Sequence, residues 1–218
     1  MDRVYELFPI ERITMIEALL TDHPQMVGLN VTIPYKLAVL NYVDELDSAA
    51  AYIGAVNTLH INYSEGKRFI KGYNTDAYGF EASLKPLLEP QHKQALIFGD
   101  GGAAKAVKYV LEQLGIPYTS VVRKAQEGCL TYDGLDEAMF AESTILINTT
   151  PLGTYPDVDS CPDIPYQFIT EQHLAYDLVY NPEETTFLKR AKAQGAKTKN
   201  GLDMLHLQAE RAWAIWTA

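Results

Sequence analysis

The residues of this chain whose types and spacing could do chemistry are a lysine two places after a proline, an aspartate behind an Asn-Thr pair, and three glycines after an apolar run. In GLNVTIPYK, residues 28–36, Pro34 keeps Ile33 extended and suits the first turn of a helix, so a strand should end and a helix begin within two residues. Lys36 would then lie in the first helical turn. An ammonium there opposes the helix macrodipole by about 0.3–1 kcal/mol, a cost that a purely structural lysine has no reason to carry. A proton-transfer group is the chemical reading and a surface lysine the plain one. Asp76, in GYNTDAYGF at 72–80, could cap the helix that follows, and Asn57, in GAVNT at 54–58, could stabilise a turn.

The glycines follow a different logic. QALIFGDGGAAKAVKYVL is an apolar strand running into Gly99, Gly101 and Gly102 and then into a run of good helix formers. With Ala104 in third place this is the GxGxxA form of the dinucleotide fingerprint, and the strand before it and helix after it are the context that the motif needs. The turn lets backbone approach a pyrophosphate, which the N–H groups of the helix start then receive. The next strand, YTSVV, ends in Arg123 and Lys124 rather than in an acidic residue. A guanidinium binds a 2′-phosphate bidentately, whereas a carboxylate would repel it, so NADP is favoured over NAD. Asp100 is at odds with a bound anion unless its side chain points away.

These groups need elements to position them. Apolar runs that read as strands (MVGLNVTI, QALIFG, YTSVV, TILINTT, LAYDLVY) alternate with helical patterns (YKLAVLNYVDEL, AAKAVKYVLEQL, TFLKRAKAQ), an α/β rhythm with parallel sheets. LKPLLEPQHK, polar and with two prolines, marks a boundary that places one domain over residues 1–80 and a Rossmann-type domain over 81–200. The amphipathic LDMLHLQAERAWAIW should return to the first domain, so that 201–218 belong with 1–80. In that helix Gln208 shares the apolar stripe of Met204 and Ala212, and its amide needs either a substrate hydroxyl or a backbone group as partner.

A chain of 218 residues with 47% hydrophobic content builds one or two cores, and a formal charge of −10 argues against nucleic acid or an anionic membrane as partner. Two distant cysteines, Cys129 and Cys161, give no disulfide or zinc pattern and fit a reducing compartment, the cytoplasm. No metal is expected, because no two of the five histidines pair at three or four residues. No apolar run approaches a membrane span, and the start lacks the pattern of a secretion signal.

Taken in order, NVTIPYK, IGAVNT, GYNTDAYGF, FGDGGAAKAV, INTTPLGT, DLVYNP and NGLDML resemble the shikimate dehydrogenase family along the whole chain. The resemblance implies reversible NADPH-dependent reduction of 3-dehydroshikimate to shikimate, in the biosynthesis of chorismate and the aromatic amino acids. Lys36 then matches the general acid/base and Asp76 its partner at the same hydroxyl, while Thr32, Asn57, Tyr180 and Gln208 match substrate-holding positions. Gly99, Asp100, Gly101, Gly102 and Ala103 match the pyrophosphate loop, Arg123 the 2′-phosphate arginine, and Thr149, Leu178 and Gly201 positions around the cofactor. A homodimer is compatible with the family.

The chain departs from the family pattern in three places. The family's SxS motif, which binds the substrate carboxylate, is absent, and the start VYELFPI resembles the family's second strand. The resemblance therefore implies a truncated first domain, lacking a first strand and a first helix of roughly thirty residues, unless a partner chain or a shifted strand fills the place. Val122 stands where the family has Asn, and Asp100 where it has Ala. Two alternatives remain open: a quinate/shikimate-type dehydrogenase with another cofactor preference, and a nucleotide-binding fragment without catalysis. Replacing Arg123 by Ala should weaken NADP binding by about tenfold or more and NAD binding far less. Parallel titrations check this, and an unchanged preference would remove the basis for choosing NADP.

Overall fold

In the computed structural model, which describes residues 4–64 and 66–218, contacts group the chain into two units. One holds the residues up to Asn74 together with Ile215–Ala218, and the other holds Thr75–Ala214. Residues 80 and 81, where the sequence suggests a boundary, lie inside one continuous helix, Thr75–Leu84.

The first unit contains α1 (Ile16–Asp22), β1 (Gly28–Asn30), β2 (Glu45–Leu46), α2 (Ser48–Ile53), β3 (Thr58–Ser64) and β4 (Lys67–Tyr73). Its sheet runs in the order β1-β3-β4-β2; β3 is antiparallel to both neighbours and β2 is parallel to β4. Leu59 and Ile61 alternate inward from β3 onto Leu20, Val39, Val56 and Ile70, which form the core. Asp47 caps α2 by accepting from the Ala50 N–H at 2.7 Å, and Gly54, at φ 68°, ends the helix in the left-handed conformation.

The second unit contains α3 (Thr75–Leu84), β5 (Ala95–Phe98), α4 (Gly102–Gln113), β6 (Tyr118–Val122), β7 (Cys129–Thr131), α5 (Glu137–Glu142), β8 (Ile145–Asn148), β9 (Leu174–Asp177), α6 (Thr186–Ala193), β10 (Lys197–Lys199) and most of α7 (Leu202–Thr217). Its six strands are all parallel, in the order β10-β9-β8-β5-β6-β7. This is a doubly wound sheet whose strand order reverses at β5, the place where such sheets bind ligands. Every residue of β5, β8 and β9 is buried, as expected of strands covered on both faces. Helix α4 turns Ala104, Val107, Val110 and Leu111 into the core. Among the described residues no helix is long and apolar enough to cross a membrane.

Two expected elements are absent. The segment YKLAVLNYVDEL is not an α-helix: a turn through Lys36 leads into a short 3-10 helix, Ala38–Tyr42, and then β2. Tertiary partners take the groups that a helix would use. The Lys36 carbonyl accepts from the Val56 N–H at 2.9 Å, and the Asp44 N–H donates to the Ile70 carbonyl at 2.8 Å. Residues 4–10, VYELFPI, belong to no strand. They attach through side chains instead: Tyr5 donates to Asn30 Oδ1 at 3.0 Å and stacks on Trp216, while Phe8 meets the His23 ring edge-on. Val4 and Leu7 remain 79% and 86% exposed, so no buried apolar face holds that segment against a sheet.

Of the segment 201–218 expected to belong with the first unit, only Ile215–Ala218 group with it; there Trp216 Nε1 donates to the Leu59 carbonyl at 2.8 Å. The indole occupies the space beside Gly28: a Cβ there would overlap the Trp216 ring and stand 2.6 Å from the Leu59 carbonyl. Gly28→Ala should therefore cost about 1–3 kcal/mol by overpacking. Trp216→Phe should recover part of that loss in the double variant, a non-additivity read from urea denaturation of the four proteins. A Gly28→Ala protein as stable as the parent would show that β1 does not depend on this close approach.

Candidate functional site

The glycine turn sits at the carboxyl end of β5. Gly99 has φ 105°, which L side chains rarely adopt, and a Cβ on it would lie 2.8 Å from Thr149 Oγ1. Thr149 is held there by its own N–H and hydroxyl, both donating to the Phe98 carbonyl at 2.9 Å. Helix α4 starts at Gly102 with Gly101 as N-cap, and no side chain caps it. A Cβ on Gly101 or Gly102 would meet nothing within 4 Å. The first N–H groups of a 12-residue helix thus have no side-chain cap, and no Cβ crowds its first two glycine positions, an arrangement suited to an anion.

Asp100 does not aim its charge at that helix start. Its Oδ1 pairs with Lys108 of α4, and its Oδ2 accepts from Gln126 Nε2 at 2.7 Å. Burial alone would raise its pKa, but the bonds from Lys108 and Gln126, with the charges of Lys108 and Lys105, outweigh that and hold it below the usual carboxylate value. Arg123 and Lys124 are exposed just past β6. Burial raises the Tyr132 hydroxyl pKa, the nearby Arg123 charge opposing it in part, and Tyr132 stacks on Phe98 at 6.3 Å. Glycine turn, uncapped helix, tied-off Asp100 and exposed Arg123 together fit a phosphorylated dinucleotide.

The ends of β8 and β9 are organised by a carboxylate that residue spacing alone did not single out. Asp177 is fully buried; its Oδ1 accepts from Asn148 Nδ2 at 2.9 Å and the Val179 N–H at 3.0 Å, and its Oδ2 from the Thr185 hydroxyl at 2.6 Å. Asn148 Oδ1 accepts in turn from the Thr150 N–H and hydroxyl, and the Thr185 hydroxyl caps α6 by accepting from the Leu188 N–H. Three loops that carry Thr149, Leu178 and the start of α6 are thereby tied to one side chain. Its signal in the sequence is a polar residue closing an otherwise apolar strand, here twice, at Asn148 and Asp177. Gly201 is brought against the Leu178 carbonyl so closely that a Cβ would overlap it, while Tyr180 is 45% exposed.

The catalytic candidates divide between the units. In the first, Asn57 is 3% exposed; its backbone takes the Val31 N–H at 2.7 Å and gives its own N–H to Tyr73 at 3.0 Å, which fixes it next to the Val56–Lys36 bond. Lys36 is half-buried and Thr32 exposed in the turn before the 3-10 helix, so the macrodipole argument for Lys36 does not apply: no α-helix starts there. In the second unit Asp76 lies half-buried in the first turn of α3. Its neighbour Thr75 donates to Gln208 Oε1 at 3.3 Å, and Gln208 Nε2 donates to the Leu205 carbonyl at 3.0 Å, so a backbone group is one of the amide's partners. Gly79 lets α3 and α7 touch there, since a Cβ would stand 2.5 Å from the Met204 carbonyl. Among the described residues no three His, Cys, Asp or Glu side chains gather as a metal site requires.

The family model for the shikimate dehydrogenase substrate binding domain matches residues 1–59. A Desulforamulus reducens protein named shikimate dehydrogenase (NADP(+)) is 41% identical over 212 residues, covering 88% of this chain and 72% of that protein. Among solved structures, shikimate 5-dehydrogenase from Thermus thermophilus in complex with NADP(H) and shikimate is 33% identical with a TM-score of 0.79, over 94% of this chain and 79% of that one. Quinate dehydrogenase from Corynebacterium glutamicum in complex with NAD is 29% identical with a TM-score of 0.81, over 94% and 76%.

Burial pushes the Asp177 carboxyl from 3.8 up to about 6, against its three hydrogen bonds. Its folded pKa exceeds the unfolded one, so its stabilising contribution is full below pH 3.8 and is lost as pH rises through about 6. Urea denaturation of the parent across this window should show a loss on the order of 2–3 kcal/mol that Asp177→Asn does not share. Identical pH dependence in the two proteins would mean that ionisation of Asp177 costs the fold nothing.

Proposed function

The chain belongs to the shikimate dehydrogenase family, and from that premise we propose that it catalyses the reversible, NADPH-dependent reduction of 3-dehydroshikimate to shikimate. The observation that carries the reading is the uncapped start of α4 at the switch point of a parallel sheet, with Asp100 neutralised and Arg123 at the end of the next strand. We assign the turn from Gly99 to Ala103 to the pyrophosphate, Arg123 to the 2′-phosphate, and Thr149, Leu178 and Gly201 to the neighbouring cofactor surface. When bound, NADP(H) supplies two-electron redox chemistry at the carbon bearing the substrate hydroxyl.

The remaining steps fall to side chains of this chain. Lys36 gives or takes the proton of the substrate hydroxyl oxygen, and Asp76 accepts a hydrogen bond from the same hydroxyl and fixes its direction. Thr32, Asn57, Tyr180 and Gln208 hold the other polar groups of the substrate; Gln208 has a second amide hydrogen besides the one given to Leu205. Free Cys129 and Cys161 support a cytoplasmic setting.

Quinate oxidation with NAD is a second reading, favoured by the likeness to the Corynebacterium glutamicum enzyme. Initial rates on shikimate and quinate with each cofactor decide between them, and NADP binding without any turnover would mean a nucleotide-binding chain that does not catalyse. Lys36→Ala should lower kcat by about a hundredfold or more while leaving the NADP dissociation constant within a factor of about two. Equal losses in turnover and cofactor affinity would refute the proton-transfer role.

A further inference from the structure

The segment between β6 and β7 carries Arg123 and Lys124, and both of its ends are fixed in the sheet, where Ser120 and Val122 pair with Cys129 and Thr131. Between those ends the chain is exposed from Arg123 to Gly128, with the Cys129 N–H donating back to the Gln126 carbonyl at 3.1 Å and Gly128 at φ 74° closing the bend. The middle of this loop is tied to the glycine turn by Gln126 Nε2, which donates to Asp100 Oδ2 at 2.7 Å. Cys129 Sγ approaches the same oxygen at 4.0 Å.

Asp100 is thus shared by two elements. Lys108 of α4 takes one oxygen and lies 5.9 Å from the centre of the Tyr118 ring, at the start of β6; Gln126 takes the other. The carboxylate is neutralised from the helix side, and its other oxygen accepts from the loop. A residue without a side-chain acceptor at this position would remove the Gln126 bond that ties the 123–128 loop to the glycine turn.

We propose that the Asp100–Gln126 bond is a specificity-determining contact: it positions the Arg123 loop relative to the glycine turn, so that the guanidinium meets a phosphate on the adenosine ribose. Gln126 is a positioning residue and touches no cofactor atom; Asp100, which looks unfavourable beside an anion, is compatible with one because Lys108 offsets its charge while Gln126 uses its geometry. The inference rests on the NADP reading of the same site and adds a determinant of the preference. Preorganising the loop before binding spares the ordering cost that would otherwise fall on the 2′-phosphate contact.

The test uses the full chain without substrate and two fragments as probes, adenosine 2′,5′-bisphosphate and 5′-AMP, titrated by calorimetry against the parent and Gln126→Ala. The parent should prefer the bisphosphate, and Gln126→Ala should lose about tenfold for the bisphosphate and less than about twofold for AMP. Amide exchange across residues 123–128 of the ligand-free chain should quicken in the variant, and exchange in α4 should not. A parent that prefers the bisphosphate together with a variant that keeps the full preference overturns this inference and leaves the NADP reading standing. A parent that binds both fragments equally overturns both. Loss of binding for both fragments in equal measure would show a general structural role and likewise overturn the inference.

Discussion

At the carboxyl end of β5 the backbone passes so close to Thr149 that no side chain fits between them, and Gly99 turns there with a positive φ. Much of the second unit is arranged around this contact. It lets α4 begin within three residues of a central strand, so the helix N–H groups face outward at the point where the strand order reverses. The same contact brings the loop after β8 against the glycine turn, with Thr149 bonded twice to Phe98. A larger residue at 99 would have to displace the Thr149 and Thr150 side chains, in the loop directly after the buried β8, and hold a strained positive φ.

Two carboxylates near this turn are satisfied in opposite ways. Asp100 is partly exposed and paired with a cation, so its charge is cancelled locally and its pKa is held down. Asp177 is fully buried and has three neutral donors, two side chains and one backbone N–H. Hydrogen bonds alone do not offset its desolvation, and its pKa rises. The first arrangement keeps negative charge away from the proposed phosphate site. The second ties three loops at the ends of parallel strands, where an apolar side chain could pack but could not direct the Asn148, Val179 and Thr185 donors.

The lysine segment illustrates competition between local and distant hydrogen bonds. YKLAVLNYVDEL has helical composition, and the Val39 N–H does reach the Tyr35 carbonyl at 2.9 Å, one helical turn. Beyond it the chain is captured: Val56 takes the Lys36 carbonyl, and Asp44 pairs with Ile70 through both its N–H and its carboxylate. A 3-10 helix and a two-residue strand result. Lys36 is fixed by the ladder of the first unit, through the backbone neighbour of Asn57, and by no helix dipole.

Elements whose signal is internal to a short stretch were legible in the sequence: the apolar strands of the parallel sheet, the helix after the glycines and the long last helix. Apolar periodicity and the steric demands of glycine and proline act over a few residues, so they can be read without knowing what lies nearby. Elements and roles that depend on a distant partner were not. VYELFPI has strand composition, but a strand exists only where another edge pairs with it; the 35–46 segment lost its helix to β4 and Val56; and Asp100 looked misplaced until Lys108 and Gln126 stood beside it. Asp177 opens the DLVYNP segment, yet nothing in the sequence named the three donors it holds. Burial and hydrogen bonding are properties of what surrounds a residue, and tertiary structure alone decides which groups, far apart along the chain, provide those surroundings.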